Sequence, residues 1–321
     1  MYPKEKFAHL PTPVEALPRL SKLLGGPELF IKRDDLTGLA FGGNKTRKLE
    51  YLLGAASAEG ADMVLTTGAA QSNHCRQTAA AAARCGLACT LVLVGPEPDE
   101  PSANFFLDQL MGAKIIWTEG NTRDQTLKAA FESADQAGKK PYLIPYGGSN
   151  GVGAYAYLKA FEELVDQLQH EMPDWIVFAS SSGGTQAGLL IGKRIQNSES
   201  KILGISVDQT EQELVNRILE ISQELGKIAG LESKVSRNNI LVNDHYTGEG
   251  YGIMNDLDRE AIHLFAKQEG ILLDPVYTGR AAAGLINLIR KGIIKKGERV
   301  LFWHTGGTPS LFARRYLPFL S

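Results

Sequence analysis

The sequence contains few cysteines and no long apolar run. Its 321 residues include only three cysteines, and so small and odd a set in a mid-sized chain does not predict a disulfide framework. The first ten residues show neither the apolar core of a signal peptide nor the composition of a transit peptide. No uninterrupted apolar stretch is long enough to span a bilayer. These absences predict a cytoplasmic protein without a membrane partner.

An excess of positive charge is also absent. The 34 basic and 36 acidic side chains give a formal net charge of −2, and no basic block runs along the chain. Because binding to nucleic acid depends on such a block to neutralise phosphates, we expect no nucleic-acid partner. Apolar residues make up 43% of the chain, which is ordinary for a globular protein with a buried core.

Eight apolar segments have the length and the turn-bounded setting of buried strands. They are residues 29–32, 63–67, 89–94, 114–117, 142–145, 175–179, 202–207 and 300–304. Helical periodicity lies between them, for example over residues 49–56 and 214–221. Parallel strands need a crossover connection, which is usually a helix, so this alternation predicts an α/β fold with mostly parallel sheets and helices on both faces.

Ligands of such folds collect where strand ends meet helix N-termini, and residues 177–188 form one such junction. A Ser/Gly turn there precedes a helix that we expect to begin near Thr185. The hydroxyls of Ser182 and Thr185, together with the helix N-terminus, suit a phosphate. The turn matches neither the Walker loop nor the dinucleotide fingerprint. Taken alone, a Ser/Gly turn of this kind is more often only a capped connection.

A second junction, residues 42–50, contains Gly-Gly-Asn-Lys. We expect Asn44 to cap the following helix and Lys45 to lie in its first turn. Positive charge is disfavoured at a helix N-terminus, so the pKa of Lys45 is expected to be lowered, as a Schiff-base lysine requires. The alternative is a solvated lysine in the surface run 46–48.

The third junction, residues 66–77, carries short polar side chains. Ser72 and Asn73 could hold a substrate carboxylate, or they could simply cap the next helix. His74 and Cys75 point in different directions on a helix and have no second histidine or cysteine at ligand spacing. We therefore expect neither a thiol nucleophile nor a metal site.

Two tyrosines lie in late, glycine-containing turns. Tyr251 and Tyr277 could project into a cleft and relay a proton, or they could anchor their turns through the hydroxyl group. The strand that ends in Thr-Gly-Gly at 305–307 is expected to close the floor of the same pocket.

Together these segments resemble the pyridoxal-phosphate family that contains D-cysteine desulfhydrase and aminocyclopropane-carboxylate deaminase. The similarity extends in order over nearly the whole chain, in segments 31–35, 42–45, 71–74, 182–185, 274–277 and 304–307. It implies pyridoxal phosphate as cofactor, a small amino acid as substrate, a homodimer and the two-lobed tryptophan-synthase β fold, known as fold type II. The implied large domain comprises residues 1–47 and 156–321, and the implied small domain comprises residues 48–155.

The resemblance also implies a role for each matched residue. Lys45 would hold the cofactor as a Schiff base and, once freed, act as the base. The other implied catalytic residues are Ser72, Tyr251 and Tyr277. The implied cofactor contacts are Lys45, Asn44, Asn73, Ser182, Gly183, Gly184, Thr185 and Thr305. The implied substrate contacts are Ser72, Asn73, His74 and Thr278, and no metal is implied.

The implied reaction is an α,β-elimination that gives a 2-oxo acid, ammonia and a leaving group. Thr278 stands where the deaminase has a glutamate, and Thr305 would offer the ring nitrogen a neutral partner, so D-cysteine desulfhydrase is the first expectation. L-Cysteate sulfo-lyase shares the motifs and is the alternative, with Thr278, Tyr251 and His74 as candidate sulfonate donors. A non-catalytic pyridoxal-phosphate protein and a dehydrogenase without the dinucleotide fingerprint are the hypotheses from other classes.

Overall fold

The computed structural model describes residues 3–169, 171–231 and 235–320, which form two β-sheets. The strands are β1 (Val14–Ala16), β2 (Glu28–Arg33), β3 (Met63–Ala69), β4 (Ala88–Val94), β5 (Lys114–Thr118), β6 (Pro141–Leu143), β7 (Trp175–Ser180), β8 (Lys201–Ser206), β9 (Leu241–Asn243) and β10 (Arg299–His304). Six of them pair in the order β1-β2-β10-β7-β8-β9, and the other four in the order β5-β4-β3-β6. The smaller sheet therefore lies wholly within residues 63–143 of the chain.

All eight predicted strands are present, with ends shifted by one or two residues. Every pairing is parallel except the antiparallel pair β1–β2. The two strands that the sequence did not predict, β1 and β9, are three-residue strands at the edges of the larger sheet. A strand of that length has too few positions to show an alternating pattern.

Helices cover both faces of the sheets. They are α1 (Pro18–Leu24), α2 (Asn44–Ala58), α3 (Asn73–Cys85), α4 (Ala103–Leu110), α5 (Arg123–Gln136), α6 (Gly151–Gln167), α7 (Gly184–Ile195), α8 (Glu211–Ile228), α9 (Asp256–Glu269), α10 (Thr278–Arg290) and α11 (Leu317–Leu320). Successive residues of β7 face opposite sides, so Val177 packs in a core with α9 and α10 while Phe178 packs in one with α6, α7 and α8. The predicted α/β class is confirmed. None of the helices in the described ranges is long and apolar enough to cross a membrane.

A buried carboxylate ties α2 to the larger sheet. Asp34 follows β2 directly and is fully buried. It accepts hydrogen bonds from Arg47 Nη2 (2.9 Å), Tyr157 Oη (2.5 Å) and Trp303 Nε1 (2.8 Å). Arg47 lies on α2, so this network fixes the start of that helix against the ends of β2 and β10.

Candidate functional site

A cavity lies where strand ends of both sheets meet the N-termini of α2, α3 and α7. Its lining combines all three predicted junctions with one of the late tyrosines and the end of β10. The predicted residues in the lining are Asn44, Lys45, Ser72, Asn73, His74, Ser182, Gly183, Thr185, Tyr277 and Thr305. Tyr251, Gly184 and Thr278 are not lining residues of this cavity. The junctions that are separated in sequence thus converge on one site.

Two glycines bring the start of α2 against the end of β10. Gly43 has φ +124°, and a Cβ at this position would lie 3.0 Å from the carbonyl oxygen of Thr305. A Cβ on Gly306, where φ is +90°, would lie 2.6 Å from Cα of Gly43. Only glycine tolerates both the backbone conformation and the close approach. This contact places Lys45 near Thr305.

Asn44 does not cap α2, so that prediction was wrong. The N-cap is Gly43, and the backbone N–H of Asn44 donates to the carbonyl of Thr305 at 2.9 Å. Because the carbonyl end of β10 satisfies this N–H, Asn44 is already the first helical residue. Its amide Nδ2 instead donates to Thr185 Oγ1 at 3.2 Å and links α2 to α7.

Lys45 is the basic group of the cavity. Burial lowers its pKa to about 8, which confirms the predicted direction of the shift. The cause is desolvation rather than the predicted helix N-terminus. Within the described residues Lys45 has no carboxylate partner, so nothing holds its ammonium in the charged form. A substantial part of the amine is therefore neutral and nucleophilic near neutral pH.

A second lysine lies behind the cavity lining at Gly147 and Ser182. Lys48 Nζ donates to Ser149 Oγ (3.0 Å) and to the carbonyl oxygen of Gly147 (3.3 Å), and Ser149 Oγ lies 2.7 Å from Ser182 Oγ. Lys48 is fully buried, and burial together with Lys45 holds its pKa well below the usual value. A Cβ on Gly184 would lie 3.0 Å from Lys48 Nζ, so only glycine leaves space beside this lysine.

The sequence analysis did not identify Lys48 or Ser149. Lys48 appeared as part of a solvated run, although its spacing of three residues from Lys45 places both lysines on the same face of α2. That spacing was the available signal. With the N-terminus of α7 alongside, the lining at Ser182 and Gly183, backed by Lys48 and Ser149, suits a phosphate group.

The third junction supplies polar donors. Ser72 Oγ accepts from the N–H of Cys75 at 3.2 Å and so caps α3, which leaves its own hydroxyl hydrogen for a ligand. Thr66 Oγ1 donates to the carbonyl of Ile144 (2.9 Å), so His74 Nε2, 2.8 Å away, must donate to Thr66. Burial and the nearby lysines hold the pKa of His74 well below its usual value, so the imidazole is neutral.

The two predicted tyrosines form one hydrogen-bonded pair. Tyr251 Oη and Tyr277 Oη lie 2.6 Å apart, and burial raises the pKa of both phenols well above 10. Tyr277 lines the cavity, whereas Tyr251 lines a second, outer cleft. The pair therefore separates the cavity from the cleft. A third tyrosine that the sequence analysis did not select, Tyr146, also lines the cavity.

Asp274 fixes the turn that carries Tyr277. Its Oδ2 accepts from the backbone N–H groups of Val276 and Tyr277, each at 2.9 Å. Thr278 Oγ1 donates to Asp274 Oδ1 (2.7 Å) and accepts from the Asp274 N–H (2.8 Å). Thr278 is fully buried, and both hydrogen-bonding capacities of its hydroxyl are directed at Asp274.

Comparisons with known proteins agree with this geometry. The family model of pyridoxal-phosphate dependent enzymes matches residues 6–306. A solved structure described as an ACC deaminase homologue is 38% identical, with a TM-score of 0.91 over 99% of this chain and 95% of that chain. The fold is shared at 15% identity by a fungal L-serine ammonia-lyase from Rhizomucor miehei, with a TM-score of 0.70 over 98% of each chain. A hydrogen sulfide-producing enzyme from Fusobacterium nucleatum shares it at 17% identity, with a TM-score of 0.66 over 93% of this chain and 96% of that one.

Proposed function

Because this chain belongs to the family of pyridoxal-phosphate-dependent enzymes, we propose that it catalyses α,β-elimination from D-cysteine, forming pyruvate, sulfide and ammonia. The supporting observation is that the lining of the described cavity contains no aspartate or glutamate. We infer that Thr305, which lines the cavity at the end of β10, is the neutral partner of the ring nitrogen of the cofactor. A neutral partner leaves this nitrogen less protonated, which suits β-elimination better than the opening of an unactivated ring.

The cavity fits pyridoxal phosphate at both of its ends. An aldehyde needs an unprotonated amine, and Lys45 offers one because burial lowers its pKa to about 8. A phosphate needs positive charge and convergent donors, which Lys48, Ser182 and the N-terminus of α7 supply. Lys48 forms no ion pair with any described residue, so a bound phosphate would be its first anionic partner and would raise its pKa toward the usual value.

The residues of the cavity divide the chemistry among them. The bound cofactor supplies an electron sink that acidifies the α-hydrogen of an attached amino acid. Lys45 Nζ removes that hydrogen as a general base. Ser72 donates its hydroxyl hydrogen to the substrate carboxylate. Tyr277, supported by Tyr251, keeps its phenol protonated because burial raises its pKa, so it can donate a proton to the departing sulfur.

L-Cysteate, with sulfite as its leaving group, is the second candidate substrate. The outer cleft contains Arg314 and Arg315. Arg314 pairs with Glu100, whereas Arg315 donates to the carbonyl oxygen of Gly252 at 2.7 Å and has no carboxylate partner in the described ranges. Gly252 follows Tyr251 in the chain, so the Arg315 guanidinium lies near the tyrosine pair. Its positive charge favours an anionic group on the incoming substrate.

Purified holoenzyme supplied separately with D-cysteine, L-cysteate and aminocyclopropane carboxylate tests the proposal. Release of 2-oxo acid with equimolar sulfide from D-cysteine is the expected result, and Lys45→Ala should release none. Faster turnover of L-cysteate with sulfite release would transfer the assignment to the sulfo-lyase reaction. Turnover of aminocyclopropane carboxylate alone would reject both, and silence on all three would favour another amino acid or a non-catalytic protein.

We also propose a homodimer, a cytoplasmic location and the two-domain division at residues 48–155. The four-stranded sheet supports this division because all of its strands lie within the small domain. Both domain boundaries fall inside helices, α2 and α6, and these helices pack on each other. Cys75 and Cys89 are buried free thiols, which supports a reducing compartment.

A further inference from the structure

A buried arginine lies directly behind the cavity on α3. Arg76 is fully buried, and its Nη1 donates to Asn73 Oδ1 (2.8 Å) and to Asn104 Oδ1 (2.5 Å). Its Nη2 donates to the carbonyl oxygen of Gly42 at 2.9 Å. Arg76 is not a lining residue of the cavity, whereas Asn73 is. The guanidinium therefore contacts a pocket residue from the side that faces away from the ligand.

These contacts decide which way the Asn73 amide points. A guanidinium has only donors, so the side-chain carbonyl of Asn73 must face Arg76. Asn104 Nδ2 donates to the same oxygen at 2.9 Å, so both acceptor sites of that oxygen are used. The amide NH₂ of Asn73 has no partner among the described residues and is left for the cavity. Asn73 thus presents a donor, and not an acceptor, to a ligand.

The same arginine holds the loop that leads to Lys45. The carbonyl oxygen of Gly42 accepts from Arg76 and also from Gln77 Nε2. On the other side, Asn104 Nδ2 uses its second hydrogen for the carbonyl oxygen of Gln71 (2.8 Å) and lies 3.1 Å from Ser310 Oγ. One cluster therefore connects the lysine loop, the Asn73 helix, α4 and the C-terminal segment.

Charge compensation accounts for only part of this burial. Asp108 and Asp274 attract the guanidinium, but neither forms an ion pair with it in the described ranges, and burial lowers its pKa to about 10. The nearby carboxyl of Asp108 is buried with neither oxygen hydrogen-bonded, and burial raises its pKa well above the usual value. A buried charge without a direct ion pair is costly for the fold. We therefore attribute the burial of Arg76 to its hydrogen bonds, which orient the Asn73 amide and the carbonyl group of Gly42.

We propose that Arg76 is a positioning residue that fixes the Asn73 amide as a donor toward an anionic oxygen of the bound cofactor. The proposal rests on the proposed placement of the cofactor beside Asn73, and not on the identity of the amino-acid substrate. Arg76 touches neither cofactor nor substrate and acts through Asn73 and the Gly42 carbonyl.

Asn73→Asp tests the direction of the amide. An aspartate carboxylate can accept the same bonds from Arg76 and Asn104, so the cofactor-free protein should melt at the same or a higher temperature. The cavity, however, loses its donor. We expect the dissociation constant of pyridoxal phosphate to rise roughly tenfold or more and the absorbance maximum of the bound cofactor to shift. Unchanged affinity and spectrum would show that the Asn73 NH₂ does not face the cofactor.

A double-mutant cycle with Arg76→Met tests the positioning role. Without the guanidinium only Asn104 still donates to the Asn73 oxygen and the amide is less firmly oriented, so cofactor affinity should fall and Asn73→Asp should add little further loss. Arg84→Met, on the exposed face of the same helix, is the matched control and should leave affinity unchanged. Losses that add independently, or a lowered melting temperature with unchanged affinity and spectrum, would reduce Arg76 to a structural residue.

Arg76→Lys keeps the test decisive if the methionine variant does not fold. Lysine retains positive charge but cannot reach Asn73, Asn104 and Gly42 together, so cofactor affinity should lie between those of wild type and Asn73→Asp. Wild-type affinity and spectrum in this variant would overturn the proposal. Because each readout is cofactor binding, the outcome does not depend on whether D-cysteine is the substrate.

Discussion

At the scale of single residues, the lowered pKa of Lys45 has a direct kinetic consequence. An amine with an ordinary pKa of 10.5 is neutral in only about a thousandth of molecules at pH 7.5. With a pKa of about 8, Lys45 is neutral in roughly a quarter of them. In the cofactor-free protein Lys45 is therefore already partly in the neutral form that reacts with an aldehyde.

The rate at which cofactor-free protein captures pyridoxal phosphate should rise with pH and level off above about pH 8, where Lys45 is mostly neutral. Stopped-flow absorbance between pH 6.5 and 10 measures this rate. Lys45→Ala should show no capture phase at any pH. A rate that keeps rising to pH 10 would indicate a lysine with the ordinary pKa and would contradict the desolvated amine.

Ser72→Ala should change two measurements at once, because Ser72 caps α3 through its acceptor and faces the cavity with its hydroxyl hydrogen. Loss of the cap should lower the free energy of unfolding by about 1 kcal/mol. Loss of the donor should raise KM for the amino acid while cofactor affinity is retained. Ser102→Ala, at the start of α4 without a side-chain cap, is a suitable control. A stability loss with unchanged KM would leave Ser72 as a cap alone.

Motifs identified the residues that touch the cavity, but not the residues behind them. Lys45, Ser72 and Tyr277 lie in short segments whose residue types already suggest chemistry. Lys48 and Arg76 look like ordinary charged helix residues in the sequence. Both side chains are buried against segments that are distant in the chain. A local sequence pattern cannot predict such long-range contacts.

At the scale of elements, strands with a clear apolar run were predictable, including the edge strands β5 and β6, whereas β1, β9 and the cap of α2 were not. β7 and β10 are apolar along their length because helices cover both faces. β1 and β9 pair on one side only and carry no such signal. Asn44 was predicted as a cap because of its residue type. The N–H of Asn44 instead donates to the carbonyl oxygen of Thr305, which is about 260 residues away in the chain, and Asn44 becomes the first helical residue.

The network around Asp34 fixes α2 and should dominate the stability of this part of the fold. Asp34→Asn leaves Arg47 buried with a weakened partner, so the free energy of unfolding should fall by about 3–5 kcal/mol. Urea unfolding at pH 7 measures the loss. Glu15→Gln removes an ion pair with Arg33 at a partly exposed position and should cost less than about 1 kcal/mol. Equal losses in both variants would contradict the importance of the buried network.

The same network gives the stability a defined pH dependence. Arg47 holds the pKa of Asp34 and of Glu163 below their ordinary values of 3.8 and 4.5. A lowered folded-state pKa contributes stability that is complete above the unfolded-state value and is lost as the pH falls through the folded value. Wild-type stability should therefore decrease below about pH 4.5, and the decrease should be smaller in Asp34→Asn.

At the scale of the whole molecule, we predict that exposed apolar side chains on and beside α4 form the interface of the proposed homodimer. Phe106 and Leu110 of α4 are 50% and 69% exposed, and Phe312 is 62% exposed in the short 3-10 helix Thr308–Phe312, which packs on α4. Large exposed apolar patches are uncommon on monomers. Phe106 and Leu110 belong to the proposed small domain and Phe312 to the proposed large domain, so a dimer interface at this surface would include both domains.

Leu110→Glu should therefore convert the proposed dimer to monomer, because two copies related by a twofold axis would each bury the new charge in the same interface. Sedimentation velocity over a range of concentrations measures the assembly state. Leu23→Glu is the matched control, since Leu23 is 54% exposed on α1, and it should leave the dimer intact. Dissociation by both variants would indicate general destabilisation, and a Leu110→Glu protein that still sediments as a dimer would place the interface elsewhere on the surface.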